Sequence, residues 1–401
     1  MAHYKLSSAS RATCPQELID LILGKTDSAD KETLKSCALV ARSFRPTSQE
    51  LIFSDLTILP SGCDSISALQ RLADVLSASP HLALHVRTLH LVQPGFYEPC
   101  VWMKSDILPA IFSMFTKLGS LDIRVYNWDS FHSNCEQAIY ALITRSSLSS
   151  IELKEARLKT NARLLSLLQC LPSSLKSASF LNVFADDHLP YRDDPKSAFT
   201  ELHQLRLASL HLDSFAPTLF HWAIRTVDLN CLRHLHTTVE EDTMNDVQQL
   251  LDGAAYVETY HISFGSVFSH HENPNLEKML GLRTLEISVT LDWEEIEEVG
   301  GQGQHNPLND AMRTLDTAPH TITHLVLNLN IWNPDELSCF GSTPFKHLGE
   351  DRPALQDVVV RIVSRYDNHL ALQRGIRYLE AVFYQLHKGG MLTVVAVRPP
   401  S

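Results

Sequence analysis

Histidines are the side chains in this sequence whose number and spacing most invite a chemical role. The chain has 20 of them, and imidazole is a common ligand of zinc and other divalent ions. His234 and His236 fall on one face of a predicted strand, and His261 takes the matching position on the next strand. Three imidazoles placed this way could hold a metal ion, but a polar strand face that carries histidines explains the pattern more simply. We therefore predict no metal site and no cofactor.

The common motifs of enzymes are missing from the sequence. No G-x-S-x-G nucleophile motif, H-E-x-x-H zinc motif or dinucleotide-binding glycine pattern occurs. Gly24-Lys25-Thr26 resembles the end of a phosphate-binding loop, yet Ile19 stands where that loop needs a glycine. The acidic runs at 240–242 and 294–298 are typical of solvated faces or loops. The sequence predicts a protein that is not an enzyme, and a repeat-fold hydrolase with an unrecognised site is the least favoured alternative.

The chain that must position these residues has 401 residues and a formal net charge of −12. Its 44% apolar content is enough for a large core, and its negative charge argues against binding to nucleic acid or an anionic membrane. No apolar run reaches the ~18 residues of a spanning helix, and the N-terminus lacks the apolar stretch of a signal peptide. The scattered cysteines form no C-x-x-C pair, which favours reduced thiols in the cytoplasm or nucleus. They are Cys14, Cys37, Cys63, Cys100, Cys135, Cys170, Cys231 and Cys339.

Residues 13–59 have the pattern of three short helices. Asp30 is placed to cap the second helix, and Pro46 can open the third, where its missing N–H costs nothing. The first helix has an apolar stripe made of Leu18, Ile19, Ile22 and Leu23. A segment this short buries little surface by itself, so we expect its remaining apolar side chains to be covered by a partner.

The segments CPQELIDLIL, TLKSCALVARSF and LIFSDLTIL resemble an F-box of the fungal F-box-like type. Ser77–Leu91 also resembles the segment that follows the box in such proteins. Cys14, Thr26 and Phe44 depart from the family pattern. The residues that match it are Pro15, Glu17, Leu18, Ile22, Leu23, Leu39, Val40 and Arg42.

The resemblance implies that the N-terminal helices dock onto the Skp-type adaptor of a cullin–RING ubiquitin ligase, while the rest of the chain captures a protein for degradation. The alternative is that the helices cap the following domain and the chain is an interaction scaffold outside any ligase. The expected adaptor-binding residues are Pro15, Leu18, Ile19, Ile22, Leu23, Leu39 and Val40.

An apolar residue, a second one three positions later and a third two positions after that recur along the rest of the chain. The interval is roughly 25 to 40 residues, and helical patterns lie between the repeats. Examples are LGSLDI (118–123), LHQLRL (202–207), LRTLEI (282–287) and ITHLVL (322–327). Such units bury both their strand and their helix only by stacking, which predicts a leucine-rich-repeat-like βα solenoid with a parallel sheet inside and helices outside. Only Asn330 fits the asparagine site of regular repeats, so the repeats are degenerate or belong to a different βα array.

In each predicted strand, the third, fifth and seventh positions alternate with the apolar ones and should face away from the core. Their mixed polar character favours a protein target. The alternative is recognition by the insertions at 185–195, 269–275 and 300–307, since loops often carry binding residues. The strand positions are Asp122, Arg124, Glu152, Lys154, Gln204, Arg206, His234, His236, His261, Thr284, Glu286 and His324.

The expected organisation is α/β, with a flexible N-terminus at 1–10, an F-box-like domain at 11–60 and the solenoid at 61–401. The expected partners are the Skp-type adaptor, a cullin bound through it, and an unidentified protein substrate.

Overall fold

The computed structural model describes residues 16–25, 30–40, 42–59, 65–93, 95, 101–185, 204–213, 216–264, 273–291, 307–331, 337, 348, 352–364 and 369–397. The chain divides into two compact units. The first contains Met1–Asp122 and Ser130–Ser147, and the second contains Ile123–Asp129 and Leu148–Ser401. None of the described helices is long and apolar enough to cross a membrane.

Helices and strands alternate along most of the described chain. The α-helices are α1 (Gln16–Gly24), α2 (Lys31–Val40), α3 (Arg45–Ser54), α4 (Ser65–Ala78), α5 (Pro80–Ala83), α6 (Ile107–Met114), α7 (Ser133–Ile143), α8 (Asn161–Gln169), α9 (Pro217–Thr226), α10 (Met244–Gly253), α11 (Pro307–Thr317), α12 (His369–Val382) and α13 (Tyr384–Lys388). Short 3-10 turns lie at Val101–Lys104, Trp128–Ser130, Leu229–Cys231 and Glu241–Thr243.

Most of the longer strands fall close to the positions that the apolar pattern predicts. They are β1 (Asp55–Ile58), β2 (Thr88–Val92), β3 (Ser120–Arg124), β4 (Ser150–Lys154), β5 (Arg157–Leu158), β6 (Ser177–Leu181), β7 (Phe184–Ala185), β8 (Ser209–Asp213), β9 (His234–Val239), β10 (Thr259–Phe264), β11 (Thr284–Leu291), β12 (His324–Ile331), β13 (Asp357–Ser364) and β14 (Leu392–Val397). Among the described residues, twelve strands form one parallel sheet in chain order, and β5 pairs with β7 separately. The predicted α/β class with a large parallel sheet and outer helices is confirmed.

The three N-terminal helices form where the sequence predicts them. The Asp30 carboxylate accepts a hydrogen bond from the Thr33 amide at 3.0 Å, which caps α2, and Pro46 lies in the first turn of α3. Ile19, Leu23 and Leu34 are almost fully buried and close a small core between the helices. The chain then runs from α3 directly into β1, which pairs with β2 and which the apolar pattern did not predict.

Many successive repeats are joined by a recurring backbone arrangement at the start of the strand. One carbonyl accepts two amides from the following repeat, and both lone pairs of the oxygen are thereby used. Lys176 N and Ser177 N donate to Ser149 O at 2.8 and 3.0 Å. The same arrangement occurs at the carbonyls of Arg87, Lys176, Ala208, Arg233, Glu258, Arg283 and Thr323.

The predicted strand at 202–207 is wrong. The strand is Ser209–Asp213, because LASLHL repeats the same apolar pattern five residues later and packs Leu210 and Leu212 into the core. Leu205 instead exchanges backbone hydrogen bonds with Thr226 and Asp228 at 2.6 and 2.7 Å. Gln204 and Arg206 therefore lie outside the sheet.

The expectations for Asn330 and for the last strand also change. Asn330 does not occupy a turn, because β12 continues past it and pairs it with Thr290 and Val363 in the neighbouring strands. In the last repeat Leu392 pairs with Val358, so the register of this strand is shifted by three residues from the one that the pattern predicts. The segments at 185–195, 269–275 and 300–307 lie largely outside the described residues.

Candidate functional site

Helices α1 and α2 expose large apolar side chains in the first unit. Leu18, Leu21 and Ile22 on α1 are 50%, 57% and 57% exposed, and Leu39 and Val40 at the end of α2 are 84% and 77% exposed. Single exposed apolar residues are ordinary, whereas several on two consecutive short helices make this segment a candidate binding surface. We call these five residues the N-terminal apolar patch.

The structure separates the predicted adaptor-binding residues into two groups. Leu18, Ile22, Leu39 and Val40 are exposed, whereas Ile19 and Leu23 are each only 1% exposed. The buried pair packs with Leu34 and with the partly buried Cys37, Phe44, Leu51 and Ile52. Ile19 and Leu23 therefore hold the helices together and cannot contact a partner while this core is intact.

The prediction of adaptor-binding residues also included Pro15 and left out Leu21. Pro15 lies outside the described residues, as do Cys14 and Thr26. Leu21 was missed by the sequence argument, although its spacing of three from Leu18 places it on the exposed side of α1. Which side of an amphipathic helix is buried depends on the elements that pack against it. Here Leu51 and Ile52 of α3 pack against the core that contains Ile19 and Leu23 of α1.

The second candidate surface is the open face of the sheet, which carries the strand residues that alternate with the buried ones. In β4 the buried residues are Ile151 and Leu153, and Glu152 and Lys154 lie between and beside them, half-buried. The same alternation places the other predicted strand residues on this face. They are Asp122, Arg124, His234, His236, His261, Thr284, Glu286 and His324.

A stack of three histidines runs across the open face of the second unit. His211, His236 and His261 lie in register on β8, β9 and β10. Adjacent ring centroids are 3.7 Å apart, with interplanar angles of 17° and 23°. His211 was missed because the wrong strand had been assigned in its repeat, so sequence reasoning found only two members of this histidine stack.

Hydroxyl groups on neighbouring strands hydrogen-bond to the stack. His236 Nε2 lies 3.2 Å from Ser263 Oγ, and His261 Nε2 lies 2.6 Å from Ser288 Oγ. The next residue in this row is Glu286, which pairs with His261 in the strand register. Its carboxylate accepts hydrogen bonds from Asn328 at 2.6 Å and from Arg361 at 3.1 Å.

Burial keeps the stacked imidazoles neutral. It lowers the pKa of His211 to about 4, with smaller contributions from His261 and Lys154. Burial likewise lowers the pKa of His236 to about 2, assisted by His211 and His261. Burial also lowers the pKa of His261, against the opposing effect of Glu286. At neutral pH the three rings therefore stack without mutual charge repulsion.

The stack does not have the geometry of a metal centre. Its rings are nearly parallel, so their nitrogens lie side by side instead of converging on one point. Within the described part of the chain, no group of three His, Cys, Asp or Glu side chains could hold a metal ion.

Several charged residues on the open face of the second unit are paired with opposite charges. Arg124 donates two hydrogen bonds to Glu155, each 2.8 Å long, and Lys154 Nζ lies 2.8 Å from Glu152. Burial opposes ionisation of Glu155, but hydrogen bonds from Arg124 and Tyr126 hold the pKa of Glu155 below its ordinary value. Among the described residues, this surface therefore offers hydrogen-bonding groups and local ion pairs.

In the first unit, the open face carries a histidine between two carboxylates. His90 Nδ1 lies 2.9 Å from Asp122 Oδ2, and His90 Nε2 lies 3.4 Å from Asp55 Oδ1. A histidine flanked in this way could assist proton transfer. The two contacts link β1, β2 and β3 through their side chains.

The chain was compared with protein-family models and with curated proteins, and nothing matches it in either comparison.

Proposed function

We propose that this protein is the substrate-receptor subunit of an SCF-type cullin–RING ubiquitin ligase, working in the cytoplasm or nucleus. In this proposal α1–α3 are an F-box that docks onto the Skp-type adaptor. The βα repeats are a degenerate leucine-rich-repeat solenoid that captures a protein target and has no catalytic role.

The observation that carries the proposal is the N-terminal apolar patch. Its five side chains project from a helical segment that already has its own core of Ile19, Leu23 and Leu34. The exposed residues are therefore not needed to hold the helices together. A surface of exposed leucine, isoleucine and valine fits a partner that covers it permanently, as an adaptor subunit does.

The open face supports the second half of the proposal. Polar side chains follow one another along it across many strands, and the ion pairs and neutral histidines give it hydrogen-bonding groups of both kinds. Parallel strands in register present such groups at regular spacing, which suits an extended segment of a protein target.

Direct binding of purified Skp-type adaptor to the full chain tests the proposal. Leu18→Ala with Ile22→Ala removes two exposed side chains and leaves the helical core intact. Truncating an interface anchor costs ~2 kcal/mol, so the double variant should bind roughly a thousandfold more weakly. The matched control is Ile66→Ala with Val75→Ala, which truncates two exposed apolar residues of α4 and should bind as the wild type does.

Failure of the wild-type chain to bind the adaptor would refute the receptor function and favour the interaction scaffold. Equal weakening by the α4 control would also count against the proposal, because it would show a general loss of surface hydrophobicity instead of a specific site.

A further inference from the structure

The histidine stack ends at His211. His236 has a ring on each of its faces, with both centroid distances at 3.7 Å. His211 stacks on His236 with one face, and within the described part of the chain no ring covers its other face. The residue in register on that side is Ser179 of β6, whose hydroxymethyl group is too small to cover an imidazole. At the opposite end of the stack the residue in register is Glu286, a longer side chain that is hydrogen-bonded in place.

His211 also differs from the other two histidines in its hydrogen bonding. Each of the other stacked imidazoles bonds to a serine on the next strand. Thr238 has the equivalent position beside His211, but its hydroxyl donates to Asp213 Oδ1 at 2.8 Å. His211 Nε2 is therefore buried without a hydrogen-bond partner among the described residues. A buried polar group without a partner costs free energy, so the fold alone does not explain an imidazole at this position.

The space above Ser179 is bounded by His211 on one side and by Glu152 and Lys154 of β4 on the other. We call this space the serine gap. Neighbouring strands are ~4.8 Å apart, so its two walls stand on backbones that are separated by roughly 10 Å. A ring placed 3.7 Å from His211, which is the spacing within the stack, lies above Ser179. Ser179 and His211 are each only partly buried, which leaves the gap accessible to one flat group.

The charges around the serine gap favour a neutral aromatic group. Lys154 Nζ lies 2.8 Å from Glu152, and the charge of Lys154 also acts on His211, whose pKa it lowers. A cationic group in the gap would meet this ammonium, and an anionic group would meet the carboxylate of Glu152. A neutral aromatic ring stacks on the imidazole with one face and presents its other face to the ammonium, and both contacts are favourable.

We propose that the serine gap binds an aromatic side chain of the captured protein, which becomes the fourth ring of the histidine stack. The inference rests on the proposed capture of a target by the open face, and it names the kind of residue that the target presents there. Tyrosine and tryptophan are among the residues that most often dominate the binding free energy of an interface.

Titration of the full chain with N-acetyltryptophanamide tests the proposal. The readout is the nuclear magnetic resonance signal of the His211 ring, which is assigned by its loss in His211→Gln. A stacked indole shifts this signal upfield through its ring current, so the wild type should show a saturable upfield shift at millimolar probe. N-acetylleucinamide should cause no such shift. Lys154→Met removes the ammonium and should weaken binding of the aromatic probe about threefold.

Ser179→Phe fills the serine gap from within the protein. This variant should shift the His211 signal upfield without any probe and should no longer respond to N-acetyltryptophanamide. Ser179→Leu should block the probe but should not cause the upfield shift, because leucine adds bulk without a ring. The matched control is Thr284→Phe, which places the same ring on β11 and should leave the titration as in the wild type. Circular dichroism establishes that each variant retains its fold.

A wild-type His211 signal that does not respond to the aromatic probe would overturn the proposal. An equal response to N-acetylleucinamide, or a response that persists in Ser179→Phe, would overturn it as well. These titrations contain no adaptor, so failure of the serine gap and failure of the receptor function are separate results.

Discussion

Replacing His236 with phenylalanine should change how the stability of the protein depends on pH. The pKa of His236 in the folded protein is lowered to about 2 by burial, while an unfolded chain has the ordinary value of about 6.5. Below pH 6.5 the unfolded state therefore takes up a proton that the folded state does not. The contribution of His236 to the free energy of unfolding is fully present above pH 6.5 and is lost progressively as the pH falls below that value.

The size of this effect follows from the two pKa values. At pH 5 the solution is about 1.5 units below the pKa of the unfolded imidazole, so protonation stabilises the unfolded state by about 2 kcal/mol. His236 therefore lowers the free energy of unfolding of the wild type by about that amount at pH 5. His236→Phe keeps a flat ring between His211 and His261 and loses only the hydrogen bond to Ser263. The variant should therefore gain about 2 kcal/mol relative to the wild type between pH 7 and pH 5.

Urea unfolding at pH 7 and pH 5, followed by far-ultraviolet circular dichroism, measures this difference. The other histidines are the same in both proteins, so comparing variant and wild type isolates the contribution of His236. His324→Phe, at an exposed position on β12, is the control and should show the pH dependence of the wild type. A His236→Phe variant with the same loss of stability as the wild type between the two pH values would refute the buried, neutral stack.

Three further predictions follow from buried groups elsewhere. Ile19→Ala should lower the free energy of unfolding by about 3 kcal/mol, whereas Ile22→Ala on the exposed side of the same helix should lower it by less than about 0.5 kcal/mol in urea titrations. Arg352→Ala should cost about 3 kcal/mol in the same assay, since the buried guanidinium donates to carbonyls at the end of α11. Burial raises the pKa of the Cys135 thiol to about 11, so mass spectrometry should find Cys135 unalkylated by iodoacetamide at pH 8 until urea is added.

Much of the fold could be predicted because strand periodicity is a local property. Apolar residues alternate along β2, β3 and β4, and the same alternation assigns their open-face residues without knowledge of any partner. The method failed where two overlapping patterns compete. At 202–212 the choice between LHQLRL and LASLHL depends on which one aligns with β6 and β9, and that is a tertiary effect.

The candidate sites also depend on tertiary packing, which the sequence pattern does not show. The sequence predicted an apolar stripe on α1, but which of its residues are exposed depends on where α3 packs. The stack of histidines could not be recognised while His211 was assigned to no strand. Its neutral state also depends on burial by the whole sheet, which no local pattern reveals.

We propose that the N-terminal helices hold this chain in a ubiquitin ligase. Capture of the tagged full-length protein from its native cells, followed by immunoblotting for the Skp-type adaptor and a cullin, tests this proposal. We predict that the wild type retains both proteins and that Leu18→Ala with Ile22→Ala loses both, while Ile66→Ala with Val75→Ala keeps them. Capture of neither protein by the wild type, or equal capture by the Leu18→Ala, Ile22→Ala variant, would contradict the proposal.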